Sequence, residues 1–224
     1  ALLRDIEVSP VREGFATAAG VFTYSAGPGL RLDGRLHAEQ LAYAIHGFHF
    51  RRVAADADYV LTPARLALAR IRMRSPYGDW AGEGDLRDWR DFSLAGRVTR
   101  GPLAKLQAMF VERPHPWDAG VTGPLSLTGQ LYASGAANLR AEARLHVEPS
   151  EGQLPMRGEL NVLWRQDCAC VDFGTSTLST PTASLTFHGV LGQHLEAELS
   201  STNLEELSPL IALAAGRNEV RLPL

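Results

Sequence analysis

Apolar residues alternate with polar ones along most of the chain, in runs of four to ten. Leu30, Leu32, Gly34, Leu36 and Ala38 share one phase, as do Leu125, Leu127, Gly129, Leu131 and Ala133, and Leu139, Ala141, Ala143, Leu145 and Val147. Successive side chains on a strand point to opposite sides, so this period of two predicts strands with one apolar face. Further runs predict strands at Val21 to Tyr24, Asp58 to Leu61, Arg65 to Arg74, Trp80 to Leu86, Asp91 to Val98 and Leu160 to Trp164. The stretch from Cys170 to Leu210 then predicts three more, carried by Val171 and Phe173, by Leu185 and Phe187, and by Leu195, Ala197 and Leu199. Residues 1 to 20 are mixed, with Pro10 and Gly14 as interruptions, and the phase switches near Gly47, where a bulge is expected. Two short helices are expected, one opening at Gly101-Pro102 and one at the capping box Thr202-Asn203-Leu204-Glu205. A loop from Glu112 to Gly120 is the best unit boundary, and candidate sub-units run 1–57, 58–118 and 119–224 within one continuous repeat-built β region.

The pattern repeats. Setting Ser75-Pro76 on Thr180-Pro181 gives an offset of 105 residues, at which Leu66 meets Val171, Leu68 meets Phe173, Met73 meets Leu178 and Gly84 meets Gly189. Gly-x-Leu recurs at Gly34, Gly84, Gly129, Gly158 and Gly189. Glycine within a strand marks a bend or a bulge, so the expectation is curvature. The fold class expected is all-β with a few short helices. An elongated, curved antiparallel sheet would form a groove with an apolar interior.

Composition narrows the chemistry. The chain has 224 residues, 45% of them hydrophobic, and a net charge of −3, which provides no basic field for nucleic acid. It has no basic-then-apolar leader and no run long enough to span a bilayer, and it is read as a fragment of a longer protein. Cys168 and Cys170 would point the same way on a strand. A bridge between them would close a tight ring, so they are expected as small apolar side chains rather than a disulfide. With His188 and His194 the nearest histidines, they make a poor metal site, and no cofactor is expected. Arg70, Arg72 and Arg74 read as a solvated face. His37, His46, His49 and His115 are the histidines an enzyme would draw on, yet no nucleophile elbow, zinc-protease or phosphate-loop motif is present. No catalytic residues are assigned and an enzyme is not expected.

The ordered set "LSTPTASLTFHGVLGQHLEAELSSTNLEELSPLIA" combines a Ser-x-Leu-x-Thr-Pro-like step, a glycine-leucine turn, an alternating strand and a short helix. It resembles the repeats of TamB-like proteins within the wider AsmA-like group, and residues 66 to 106 look like a weaker copy. The resemblance implies a taco-shaped β structure in a protein anchored in the inner membrane and crossing the periplasm. It implies phospholipids as cargo and a TamA-type outer-membrane barrel as partner in outer-membrane biogenesis. On this reading the acyl-chain lining is Leu125, Leu127, Leu131, Leu145, Val147, Leu160, Val162, Leu185, Phe187, Leu195 and Leu199. The rival readings are a closed β spacer or adhesin that carries nothing, and a carbohydrate-active β-solenoid.

Overall fold

The computed structural model describes residues 11–26, 29–45, 48–103, 105, 119–133, 135–150 and 155–203. Twelve strands form one antiparallel sheet in strict chain order. They are β1 (Val11–Ser25), β2 (Gly29–Ile45), β3 (Phe48–Thr62), β4 (Arg65–Ser75), β5 (Gly78–Arg87), β6 (Asp91–Pro102), β7 (Ala119–Tyr132), β8 (Gly135–Pro149), β9 (Arg157–Arg165), β10 (Cys170–Ser179), β11 (Ala183–Val190) and β12 (His194–Ser201). The sheet is open and curved. Helix is almost absent: among the described residues only Leu103 and Lys105 are helical, where the first short helix was expected. Thr202 and Asn203 are not helical, and the rest of that expected helix lies outside the described residues, as do Gly47 and the greater part of the 112–120 loop.

Alternation would leave the apolar face discontinuous wherever the sequence period slips by one, because a single-residue shift sends every later side chain to the other side. β-bulges absorb those slips. On β2 the apolar phase runs to Ala38 and resumes at Leu41; Gln40, at φ 54, takes up the extra residue. On β4 it runs through Leu68 and resumes at Ile71 across Arg70, at φ 51. On β6 it passes from Val98 to Gly101 across Arg100, at φ 53. In each of these three bulges one residue in the left-handed region bends the strand and keeps the phase.

The bulges also give the 105-residue repeat a physical form. β4 is bulged between Leu68 and Ile71 against Gly84 and Gly82 of β5. β10 is bulged between Phe173 and Ser176 against Gly189 and Phe187 of β11. The four pairs of equivalent positions, 68 and 173, 71 and 176, 84 and 189, 82 and 187, are each 105 apart. The β4–β5 and β10–β11 hairpins thus share one bulge placement. On β10 the bulge leaves Asn161 of β9 without its ladder partner, and side chains fill in. Ser176 Oγ, wholly buried, accepts the Asn161 backbone N–H at 2.9 Å, and Asn161 Nδ2 donates to the Thr175 carbonyl at 2.7 Å.

Glycines on the apolar face make room for aromatic rings as well as for bends. A Cβ on Gly96 would meet the Trp80 ring at 2.5 Å, and one on Gly82 would meet it at 2.7 Å. Tyr59 lies over Gly20 and Gly34 in the same way, and Phe92 over Gly129. A ring from one strand covers backbone that two neighbouring glycines leave bare. Trp80 carries a cost: its indole N–H has no hydrogen-bond partner among the described residues.

Two expectations are corrected. Residues 11 to 20 belong to a fifteen-residue strand, β1, rather than to a mixed segment. Ala16, Ala18 and Gly20 carry its apolar phase, and residues that small barely register in a hydrophobic pattern. Cys168 and Cys170 form a disulfide. The expectation placed both on a strand, but β9 ends at Arg165 and Gln166 to Ala169 form a turn. Ala169, at φ 48, turns the chain so that the two Cα atoms lie 5.0 Å apart, within ordinary disulfide reach.

Two substitutions test this packing. Ser176→Ala leaves the Asn161 N–H buried without an acceptor and lowers stability by about 1–3 kcal/mol. Gly82→Ala drives a methyl into Trp80 and the Ala95 carbonyl and costs about 1–3 kcal/mol, whereas Gly120→Ala, whose methyl would meet the Glu148 carbonyl at an ordinary 3.9 Å, is near neutral. Urea midpoints at constant slope check both.

Candidate functional site

The register places most of the large apolar side chains of the sheet on one face, with Phe15, Val21, Val60, Leu163 and Val190 as exceptions in the opposite phase. One row runs Phe22, Leu32, Leu61, Leu66, Leu86, Phe92. A second runs Leu94, Leu127, Ala141, Trp164, Val171. A third runs Leu125, Ala143, Val162, Phe173, Gly189, Leu195. A fourth runs Val121, Val147, Gly158, Leu178, Leu185, Leu199. Directly opposed residues have Cβ atoms close enough to touch, so each row is a strip of side-chain contact across the sheet. Phe173 and Phe187 add an edge-on ring pair with centroids 5.3 Å apart.

All eleven residues proposed from the sequence as a lining lie on this face, but their exposure differs. Leu125, Leu127, Val162 and Leu185 are half-buried; Phe187 is 8% exposed. Leu131, Leu195 and Leu199 are open to solvent, at 40%, 42% and 46%. Val147 is fully covered, in a cluster with Leu103, Ala119, Val121 and Met156, and Leu145 and Leu160 pack partly buried against that cluster. The face is therefore sealed at one corner, where Leu103 and Met156 sit on it, and half-open elsewhere. The register also adds residues absent from the proposed lining: Leu32, Leu61, Leu66 and Leu86 continue the same face across β2 to β5. Their alternation was visible in the sequence; what was missing was the register that joins them to the later strands.

The opposite face is laced with charge. Arg65 Nε and Arg87 Nε donate to the two oxygens of Asp85 at 2.6 and 2.5 Å, and the hydrogen bond from Arg65 chiefly holds that carboxyl below its ordinary range. Asp58 takes Arg70 and Arg35, and Asp79 takes Arg100 at 2.9 Å. His194 and His188 flank Glu196 and lower its pKa, His194 by the larger effect. His37 Nδ1 lies 2.7 Å from Asp56 Oδ1 and Nε2 3.2 Å from Glu39, and the Asp56 hydrogen bond, then Glu39, raises the His37 pKa. His37 and Asp56 edge an open cleft of about 560 Å³ together with Arg35, Asp58, Arg70 and Arg72. Of the histidines that an enzyme would draw on, His37 alone has a described side-chain environment; His46 and His115 lie outside the described residues, and the His49 side chain is not described. No group of three or more metal-ligating side chains converges among the described residues.

His37 carries the pH test. Its folded pKa is raised, so the stability it adds is full below about pH 6.5, the ordinary histidine value, and is lost as pH rises through the folded pKa. Proton NMR titration is expected to place His37 above that ordinary value, and Asp56→Asn to return it most of the way.

No family model, no curated protein and no solved structure matches this chain.

Proposed function

We propose that the chain is part of a TamB-like envelope protein and that its apolar face carries phospholipid acyl chains through the periplasm toward the outer membrane. The observation that carries this reading is the single apolar face kept in phase across twelve strands. A protein that needed only a dry core would seal that face under a second layer, yet large apolar residues stay solvent-exposed along it, and exposed apolar area of that kind marks a binding surface. Burial at ~25 cal/mol per Å² would retain an acyl chain without any head-group contact. Rows of Leu, Val, Ala and Phe repeated strand after strand offer no single deep well, which suits passage better than storage. The role is non-catalytic. Support of outer-membrane protein assembly through a TamA-type barrel partner follows from the same resemblance.

A spacer or adhesin is the second reading, favoured locally by the dry corner around Val121 and Val147. One experiment separates the two. A photoreactive residue placed at Leu125 or at Leu185 is expected to capture phospholipid on irradiation, and one placed at Arg144 on the opposite face is not. Leu195→Asp with Leu199→Asp, both exposed and therefore compatible with folding, is expected to cut capture at Leu185 several-fold while circular dichroism stays unchanged. Absence of capture on the apolar face, or equal capture on both faces, sinks the carrier reading and leaves the spacer.

A further inference from the structure

The disulfide between Cys168 and Cys170 is poorly suited to holding the fold. It encloses one residue, Ala169, and the stabilisation a bridge provides by restricting the unfolded chain grows with the length of the loop it closes. The turn it spans is already tied. Cys170 pairs with Arg165 in the β9–β10 ladder, and the Ala169 N–H donates to the Gln166 carbonyl at 3.1 Å. The two sulfurs sit in different surroundings. Cys168 is exposed at the turn, whereas Cys170 is 4% exposed at the start of β10. The Arg165 guanidinium points at the buried sulfur, with Nη2 3.6 Å from Cys170 Sγ.

From this arrangement we infer that Cys168 and Cys170 are a thiol–disulfide exchange site, with Cys168 the sulfur attacked and Cys170 the leaving thiolate. Its reductant is a low-molecular-weight thiol or a dithiol protein. The incoming thiolate attacks Cys168 Sγ, the Cys168–Cys170 bond breaks, and its electron pair leaves on Cys170. There the Arg165 cation stabilises the negative charge, as a neighbouring arginine does for any low-pKa thiol. A second thiolate, or the second thiol of the same dithiol, then displaces Cys168 from the mixed disulfide. Two electrons have passed to the pair, the reductant has become a disulfide, and both cysteines take up protons as their pKa values dictate. Run backward, the same steps oxidise a partner dithiol. Exposed disulfides that contribute little to folding are the labile ones, and here the electrophilic sulfur alone is accessible.

The test uses the whole 224-residue chain in glutathione buffers of graded ratio, acid-quenched and read by intact mass after alkylation. The pair is expected to equilibrate between dithiol and disulfide with reduced glutathione at about millimolar concentration. Cys170→Ser should form a glutathione adduct on Cys168, and Cys168→Ser should form little on the buried Cys170. Arg165→Gln should shift the equilibrium toward the disulfide by about tenfold, the factor carried by one unit of thiol pKa. Circular dichroism and the urea midpoint should be unchanged on reduction, which separates exchange from a structural bridge. A pair that stays oxidised under strong dithiothreitol, a pair that never oxidises in excess oxidised glutathione, or a fold lost on reduction would each overturn the assignment. So would equal adduct formation at both single cysteines.

Discussion

Everything in this molecule depends on keeping one face apolar through twelve consecutive strands. A sheet has a side-chain period of two, so an error of one residue anywhere would turn Leu and Phe outward and Arg and Asp inward for all that follows. The sequence does slip, at Gln40, Arg52, Arg70, Arg100 and Asn138, and each slip coincides with a bulge. These five non-glycine residues held at positive φ each cost free energy of order 1 kcal/mol, far less than exposing an apolar strand. The β4 bulge returns at the same place on β10, 105 residues on, so the repeat has a structural counterpart in that hairpin.

Curvature is the second consequence. Glycines on the apolar face let Trp80 and Tyr59 lie flat across neighbouring strands. The rings shield backbone that would otherwise be bare, and the strands approach closely beneath them. The same devices explain why side chains in the middle strands are half-buried although the described residues form one sheet: in a curved sheet they cover one another. Around Val121 and Val147, residues from outside the strands, Leu103 and Met156, complete a dry cluster.

The polar face does different work. Its arginine–carboxylate and histidine–carboxylate pairs, some within a strand and others from strand to strand, are largely solvent-exposed, so individually they add little stability. Their value lies in register, since an Arg65–Asp85 or Arg100–Asp79 pair is lost when strands slide. They also keep the far side of a large open sheet hydrated, so that association by that face is disfavoured.

Strand after strand, the alternation of Leu, Phe and Val with Arg, Thr and Glu was enough to predict an all-β chain, its one-sided strands, all eleven members of the proposed lining as sharers of a phase, and a repeat of 105 residues. That information is local: it lives in spacing of two, which any pairing of strands preserves. Strand β1 escaped because Ala16, Ala18 and Gly20 are too small to mark a face. Pairing partners, the bulges that rescue the phase, the glycine beds beneath Trp80 and Tyr59, and the sealed corner that takes Val147 out of solvent were decided by tertiary structure. So was the Cys168–Cys170 bridge, which requires β9 to stop at Arg165. Each depends on which backbone lies alongside which, and hydrogen bonding between residues tens of positions apart leaves no mark in the spacing of neighbours.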